Sequence, residues 1–196
     1  MNVQARTLFG LLLCLTIIGC RGDVGKFSGI DLTGIQGYGS DFHLTDHTGK
    51  ARTLADFRGK VVTLFFGYTH CPDVCPTTLS DMRQVMEKLG KDSERVQVLF
   101  VTLDPGRDTP ELLARYVPAF HPSFLGLYGD AETTARTAKD FKIFYQLQPG
   151  KTPETYTVDH AAGTLVFDRE GRLRLFLNYG LSSDLIASDI GILLKQ

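Results

Sequence analysis

Residues 61–66 form a continuous run of apolar, β-branched and aromatic side chains, the mark of a strand covered on both faces, and residues 96–103 read as a second buried strand. Between them Leu79, Met82, Val85, Met86 and Leu89 recur at helical spacing, and Gly90 is a suitable stop. Pro76 suits a first helical position, which makes Cys75 the expected N-cap. Further along, the pattern predicts a helix over 109–120 opened by Pro110, a strand over 124–128 and a helix over 131–141. It continues with a Pro/Gly loop over 148–154, a hairpin over 165–167 and 173–177, and a last helix over 183–194. Upstream, DFHLTDHTGKARTL reads as two short strands around the turn Asp46-His47-Thr48-Gly49. Strands that alternate with helices and close on an antiparallel hairpin predict an α/β architecture with a mixed sheet.

The first twenty residues break this pattern. Arg6 precedes the apolar run at 8–19, which has the basic start and short apolar stretch of a secretory signal and falls short of the length a membrane span needs. It ends in Ile17-Ile18-Gly19-Cys20, which resembles the lipobox of bacterial lipoproteins. That resemblance implies removal of residues 1–19 and acylation of Cys20, with the mature chain held on a membrane on the exported, periplasmic side of a bacterial envelope. An ordinary cleaved signal with an incidental Cys20 is the alternative. Residues 20–37, rich in glycine and small polar side chains, read as a lipidated tether, and residues 38–196 as the domain.

Composition adds little. The 196 residues are 43% hydrophobic and 22% charged, enough for one well-filled core. A formal net charge of −1 supplies no field for nucleic acid. Function must be read from local sites.

Once Cys14 leaves with the signal and Cys20 takes a lipid, the mature domain keeps Cys71 and Cys75, in THCPDVCP between a buried strand and a helix. A thiol at a helix N-terminus is expected to have its pKa lowered by the helix dipole, which favours the thiolate that attacks disulfides and binds metals alike. Spacing separates the readings further. Thioredoxin-type oxidoreductases use C-x-x-C, whereas three residues intervene here, leaving room for an ion without preventing a disulfide. Two ligands are too few for structural zinc, and thiolates with an imidazole suit Cu(I), so a histidine elsewhere is sought as third ligand.

Of the five histidines, His43 and His47 read as surface residues of the early hairpin and His121 as a capping or solvent group. His70 adjoins Cys71, but neighbouring side chains in an extended loop point apart. His160 follows the long loop and precedes the hairpin strand, where a returning chain could face the cysteines. A lone histidine is usually not a ligand, and its case rests on more than position.

Several pieces together resemble the Sco (SenC/PrrC) proteins, copper-binding proteins of respiratory membranes. They are Gly59-Lys60-Val61-Val62, the run from Phe65 through Pro76, Asp104-Pro105-Gly106-Arg107-Asp108-Thr109-Pro110, Phe124-Leu125-Gly126-Leu127 and Val158-Asp159-His160, in family order from about Asp41 onward. The resemblance implies a thioredoxin-like fold, a mixed central sheet flanked by helices, to which the early hairpin is an N-terminal β-hairpin extension. It also implies that Cys71, Cys75 and His160 bind one copper ion, as Cu(I) or Cu(II), and that the chain is a metallochaperone. Its partners would be a copper donor and the cytochrome c oxidase subunit that carries the CuA centre. Ala161 departs from the Ser or Thr of many relatives. Asp73, Asp104 and Asp159 are candidates to orient ligands or tune charge, set against plain readings as turn or solvated residues.

Two other classes stay open. A membrane-tethered thiol-disulfide reductase would reduce the cysteines of a partner copper site, so enzymatic activity is undecided. Against a general oxidoreductase, no proline follows Pro153 to serve as a cis-proline facing the thiols, and the T-x-x-C of a peroxiredoxin is absent. A stapling Cys71–Cys75 disulfide would close so short a loop that it adds little stability.

Overall fold

The computed structural model describes residues 26–152 and 155–196. The signal, Cys20, the first part of the tether and the loop residues Pro153 and Glu154 lie outside these. Eight strands form one mixed sheet in the order β1-β10-β9-β4-β5-β6-β2-β3. At its centre β4 (Val61–Gly67) and β5 (Val96–Thr102) run parallel from Val61↔Val96 to Gly67↔Thr102, and every residue of both is buried. That explains their largely apolar sequence, interrupted by the buried Thr63, Gln97 and Thr102: a strand covered on both faces has no solvent side to mark with alternating polar residues. β6 (Leu125–Tyr128) adds parallel to β5, and β9 (Thr164–Phe167) adds antiparallel to β4. β10 (Leu173–Leu177) completes the expected hairpin with β9. β2 (Leu44–Asp46) and β3 (Ala51–Arg52) form the early hairpin, and β2 joins the sheet through β6.

Among the described residues, four α-helices interleave with these strands. α1 (Val74–Leu89) packs on α4 (Ser183–Leu194), fastened by Lys88–Asp184 at 2.7 Å and by Ser183 Oγ to Gln84 at 3.1 Å. α1 ends at Gly90 with φ 57°, in the left-handed region that glycine adopts without a Cβ clash. α2 (Pro110–Tyr116) is capped by the Thr109 side chain and stops short of the expected Phe120, which lies in an irregular turn. α3 (Ala131–Asp140) is capped by Asp130.

Three expectations need correction. Residues 30–31 of the expected tether form β1 (Ile30–Asp31), an edge strand on β10. Leu32 is buried, and the buried Asp189 of α4 accepts the Ser28 and Gly29 N–H groups, so this stretch is fastened to the domain. Composition hid it because an exposed two-residue edge strand has no periodicity to read. The Pro/Gly loop is the tip of a ribbon made by β7 (Tyr145–Gln148) and β8 (Thr157–His160), paired from Tyr145↔His160 to Gln148↔Thr157. Finally, α1 begins two residues earlier around the cysteines than expected: Asp73 is the N-cap, and Cys75 and Pro76 are its second and third residues. Proline is tolerated there because the first turn's N–H groups have no partner inside the helix.

Candidate metal centre

The central strands β4 and β5 end side by side, with the Leu103 N–H donating to the Gly67 carbonyl at 2.7 Å. The carboxyl ends of parallel strands are where open α/β sheets gather functional groups. From β4 the chain passes through Tyr68–Asp73 into α1, which places Cys71 just before the helix and Cys75 within its first turn. Cys75 is fully buried and Cys71 partly exposed, and both are free thiols. The Cys75 backbone N–H donates to Cys71 Sγ at 3.4 Å, so one sulfur sits against the helix head. Burial pushes the Cys75 thiol well above its ordinary range, and the neighbouring Cys71 adds to the rise. The lowering expected from the helix dipole is therefore overturned at Cys75, because desolvation of a thiolate outweighs a partial charge.

Gly67 makes room for this sulfur. A Cβ at position 67 would lie 2.7 Å from Cys75 Sγ and 2.9 Å from the Phe100 ring. Only a residue without a side chain lets the strand end lie this close to the thiol.

The third group arrives from the ribbon. His160 Nε2 lies 3.7 Å from Cys75 Sγ, and Nδ1 is 2.9 Å from the Ala161 carbonyl. A carbonyl only accepts, so the proton of the neutral ring sits on Nδ1 and the Nε2 lone pair faces the thiol. Burial holds the His160 pKa below that of a free imidazole, against smaller upward pulls from the Ala161 carbonyl and Asp159. The rings of Phe65 and Tyr68 meet the imidazole edge-on, with centroids 6.1 and 6.2 Å away.

The other expected residues scatter. Asp73 is exposed, with its carboxylate 3.4 Å from the Thr77 hydroxyl, and Asp159 is exposed and accepts from Gln148 at 2.9 Å. His43 is exposed, whereas His47 is half-buried and its Nδ1 accepts the Gly126 N–H at 3.0 Å, a structural bond rather than a surface position. His121 pairs with Ser123 at 2.9 Å. His70 Nδ1 lies 3.1 Å from the Thr69 hydroxyl and 3.6 Å from Asp108.

Asp104 is buried and belongs to a polar brace that the sequence reading largely missed. Asp108, also buried, accepts the Thr69 N–H at 2.9 Å, the Thr69 hydroxyl at 2.5 Å and the Thr102 hydroxyl at 2.6 Å. Asp104 accepts from Arg107 Nε at 2.5 Å and from the Tyr156 hydroxyl at 2.6 Å. His70, Asp104 and Asp108 offer ligand atoms within 4.8 Å of one another. The carboxylates, however, are already engaged by these protein donors, which suits bracing better than ligation. The four-residue separation of Asp104 and Asp108 in a turn was the available signal, while nothing local marked Tyr156.

A mixed sheet flanked by helices, with two thiols where its central strand runs into α1, defines a thioredoxin-like protein, to which β8 here adds an imidazole beside the inner thiol. The chain belongs to the SCO1/SenC family, whose model matches residues 31–195. It is similar to the solved Bradyrhizobium japonicum ScoI with copper bound, at 38% identity and a TM-score of 0.74 over 80% of this chain and 99% of that one. It is also similar to apo Sco1 from Thermus thermophilus, at 44% identity and a TM-score of 0.74 over 87% and 98% of the two chains. The mitochondrial SCO2 homolog of Bos taurus is 43% identical over 141 residues, 71% of this chain and 52% of that protein. The match thus spans about half the length of that mitochondrial relative.

Proposed function

We propose that this domain is a metallochaperone that carries one copper ion on Cys71, Cys75 and His160 and serves assembly of the CuA centre of cytochrome c oxidase. The observation that carries the reading is the 3.7 Å approach of His160 Nε2 to Cys75 Sγ, from a segment 85 residues away in sequence. Two soft sulfurs and a neutral imidazole nitrogen form a donor set suited to Cu(I). The tautomer fixed by Ala161 leaves the facing nitrogen free to coordinate, and Gly67 keeps the space around the inner sulfur clear of side chain. Copper is cargo here; when bound it would replace the thiol protons, so uptake releases protons and weakens as pH falls. Copper bound in the Bradyrhizobium japonicum relative supports the reading. In the proposed cellular setting Cys20 carries a lipid that keeps the domain on the periplasmic face of a membrane. Among the described residues, no helix is long and apolar enough to cross a membrane.

An anaerobic Cu(I) titration of the soluble domain tests the site. One equivalent is expected to bind, with affinity falling in Cys71→Ala, Cys75→Ala and His160→Ala. Unchanged affinity and an unchanged Cu(II) spectrum in His160→Ala would overturn the three-ligand site.

A second reading is favoured by the unequal thiols, Cys71 partly exposed and Cys75 buried behind it. As a reductase, Cys71 would attack a partner disulfide, releasing one partner thiolate, and Cys75 would then attack the Cys71 sulfur of the mixed disulfide and release the second. Two electrons would pass to the partner, leaving it as a dithiol and this chain with a Cys71–Cys75 disulfide. Reduction of an oxidised CuA fragment by the metal-free domain would support this reading, and no reaction would remove it.

A further inference from the structure

His160 lies on β8, and among the described residues β8 pairs with β7 alone; neither joins the eight-stranded sheet. The position of the imidazole therefore depends on what fastens the ribbon to the body of the domain. One tie stands out. Tyr156, just before β8, donates its hydroxyl to Asp104 at 2.6 Å, while its backbone carbonyl accepts from Arg107 Nη1 at 2.9 Å. The Arg107 guanidinium carbon lies 3.5 Å from the Tyr156 ring centroid, and Arg107 Nε bonds the other Asp104 oxygen at 2.5 Å. Side chain, ring and backbone of one residue are thus held by a single ion pair whose acid is 3% exposed.

The pair connects onward to the thiols. The Asp104 N–H donates to the Thr102 hydroxyl at 2.9 Å, Thr102 donates to Asp108, and Asp108 accepts from Thr69, two residues before Cys71. A continuous chain of bonds therefore runs from the cysteine loop to the head of the ribbon. Along a strand, alternate residues share a face, so Tyr156, Val158 and His160 point the same way. Val158 is buried on that face. Fixing Tyr156 consequently fixes the side of the ribbon that carries the imidazole.

We propose that Arg107, Asp104 and Tyr156 form a clasp that positions His160 over Cys75 and sets how readily a bound copper ion loses its imidazole ligand. This rests on the three-ligand reading above. The clasp residues touch neither thiol nor metal; they are positioning residues that act through the ribbon. Charge-assisted hydrogen bonds of this kind are roughly twice as strong as neutral ones, so breaking one has a measurable effect.

Tyr156→Phe keeps the ring on Arg107 and removes only the hydroxyl bond to Asp104. In the metal-free domain, amide exchange in residues 145–148 and 157–160 is expected to speed by roughly tenfold, the loss of one hydrogen bond to a charged group. Exchange in β4 and β5 and the urea midpoint should shift by no more than the loss of that one bond, while the His160 ring signals broaden. Release of Cu(I) to a chelator is expected to accelerate by a similar factor. Asp104→Asn, which also removes the charge that pairs with Arg107, should have at least as large an effect on both, and adding Tyr156→Phe to it should change little further, because the hydroxyl has then already lost its charged acceptor. Wild-type exchange in the ribbon of Tyr156→Phe, or wild-type Cu(I) release from it, overturns the proposal. If His160→Ala releases Cu(I) as wild type does, the three-ligand reading falls and this proposal with it. The metal-free exchange data then still report whether the clasp exists, so the two failures are distinguishable.

Discussion

Cys71 and Cys75 follow β4, a strand buried along its whole length and paired on both sides, whereas His160 ends β8, a strand paired on one side only with the short β7. The first region is built from Val61, Val62, Leu64, Phe65 and Phe66, and Leu79 and Met82 of α1 pack into the same core. The second is half solvated: Thr157 and Asp159 are exposed, as are Phe144 and Leu147 beside them. Local stability follows buried apolar contact, so the thiols sit on the firm side of the molecule and the imidazole on the softer side. A site divided in this way can keep its sulfurs in place while its nitrogen moves. For a protein proposed to take up copper and hand it on, that division is useful, because loss of one ligand opens the ion to a partner.

The largest effect expected is on the firm side. Leu79→Ala removes a fully buried side chain from α1 and should cost about 2–5 kcal/mol in urea denaturation. Stability within about 1 kcal/mol of wild type would break the contrast, since such a loss is typical only of a loosely packed site. Gly67→Ala places a methyl against the Cys75 sulfur and Phe100 and should cost about 1–3 kcal/mol, with weaker Cu(I) binding. Stability measured against pH should separate the two regions next. At the sheet edge, burial alone would raise the Asp46 carboxyl, but hydrogen bonds from Thr48 and Arg52 outweigh it and hold the pKa at about 2. The unfolded chain therefore binds this proton first, and stability present above about pH 4 is lost as pH falls through about 2. His160 has its pKa lowered by burial, so the open state again binds the proton first, but at a higher pH. Closure of the metal-free ribbon should weaken as pH falls below about 6.5, seen as faster amide exchange in residues 157–160 after correction for intrinsic rates. An Asp46→Asn variant should flatten the acid limb alone. The smallest effect belongs to Gln148→Ala, which breaks an exposed bond to Asp159 and should change the urea midpoint by no more than about 0.5 kcal/mol.

Periodicity was a good guide where burial was uniform. The strand at 61–66, the helix stop at Gly90 and the last helix at 183–194 correspond to observed elements, because each side chain there faces one consistent environment. It failed where elements are short, exposed or at an edge. β1 and the β7–β8 ribbon have two to four residues per strand, mixed exposure and no regular alternation. The helix around the cysteines was misplaced because Pro76 was assigned the first helical position, while the structure accommodates it at the third.

By itself, then, the sequence determined an α/β domain with thiols between a buried strand and a helix, since apolar runs, helical spacing and the THCPDVCP stretch are local properties of the chain. The family resemblance added His160 to that pair. Only the tertiary structure decided that His160 faces Cys75, that Cys75 is sealed from solvent while Cys71 is not, and that Asp104, Arg107 and Tyr156 meet. These are contacts between segments 49 to 85 residues apart, created when the ribbon folds back over the ends of β4 and β5. Burial and proton affinity follow from that closure, and no local pattern encodes them.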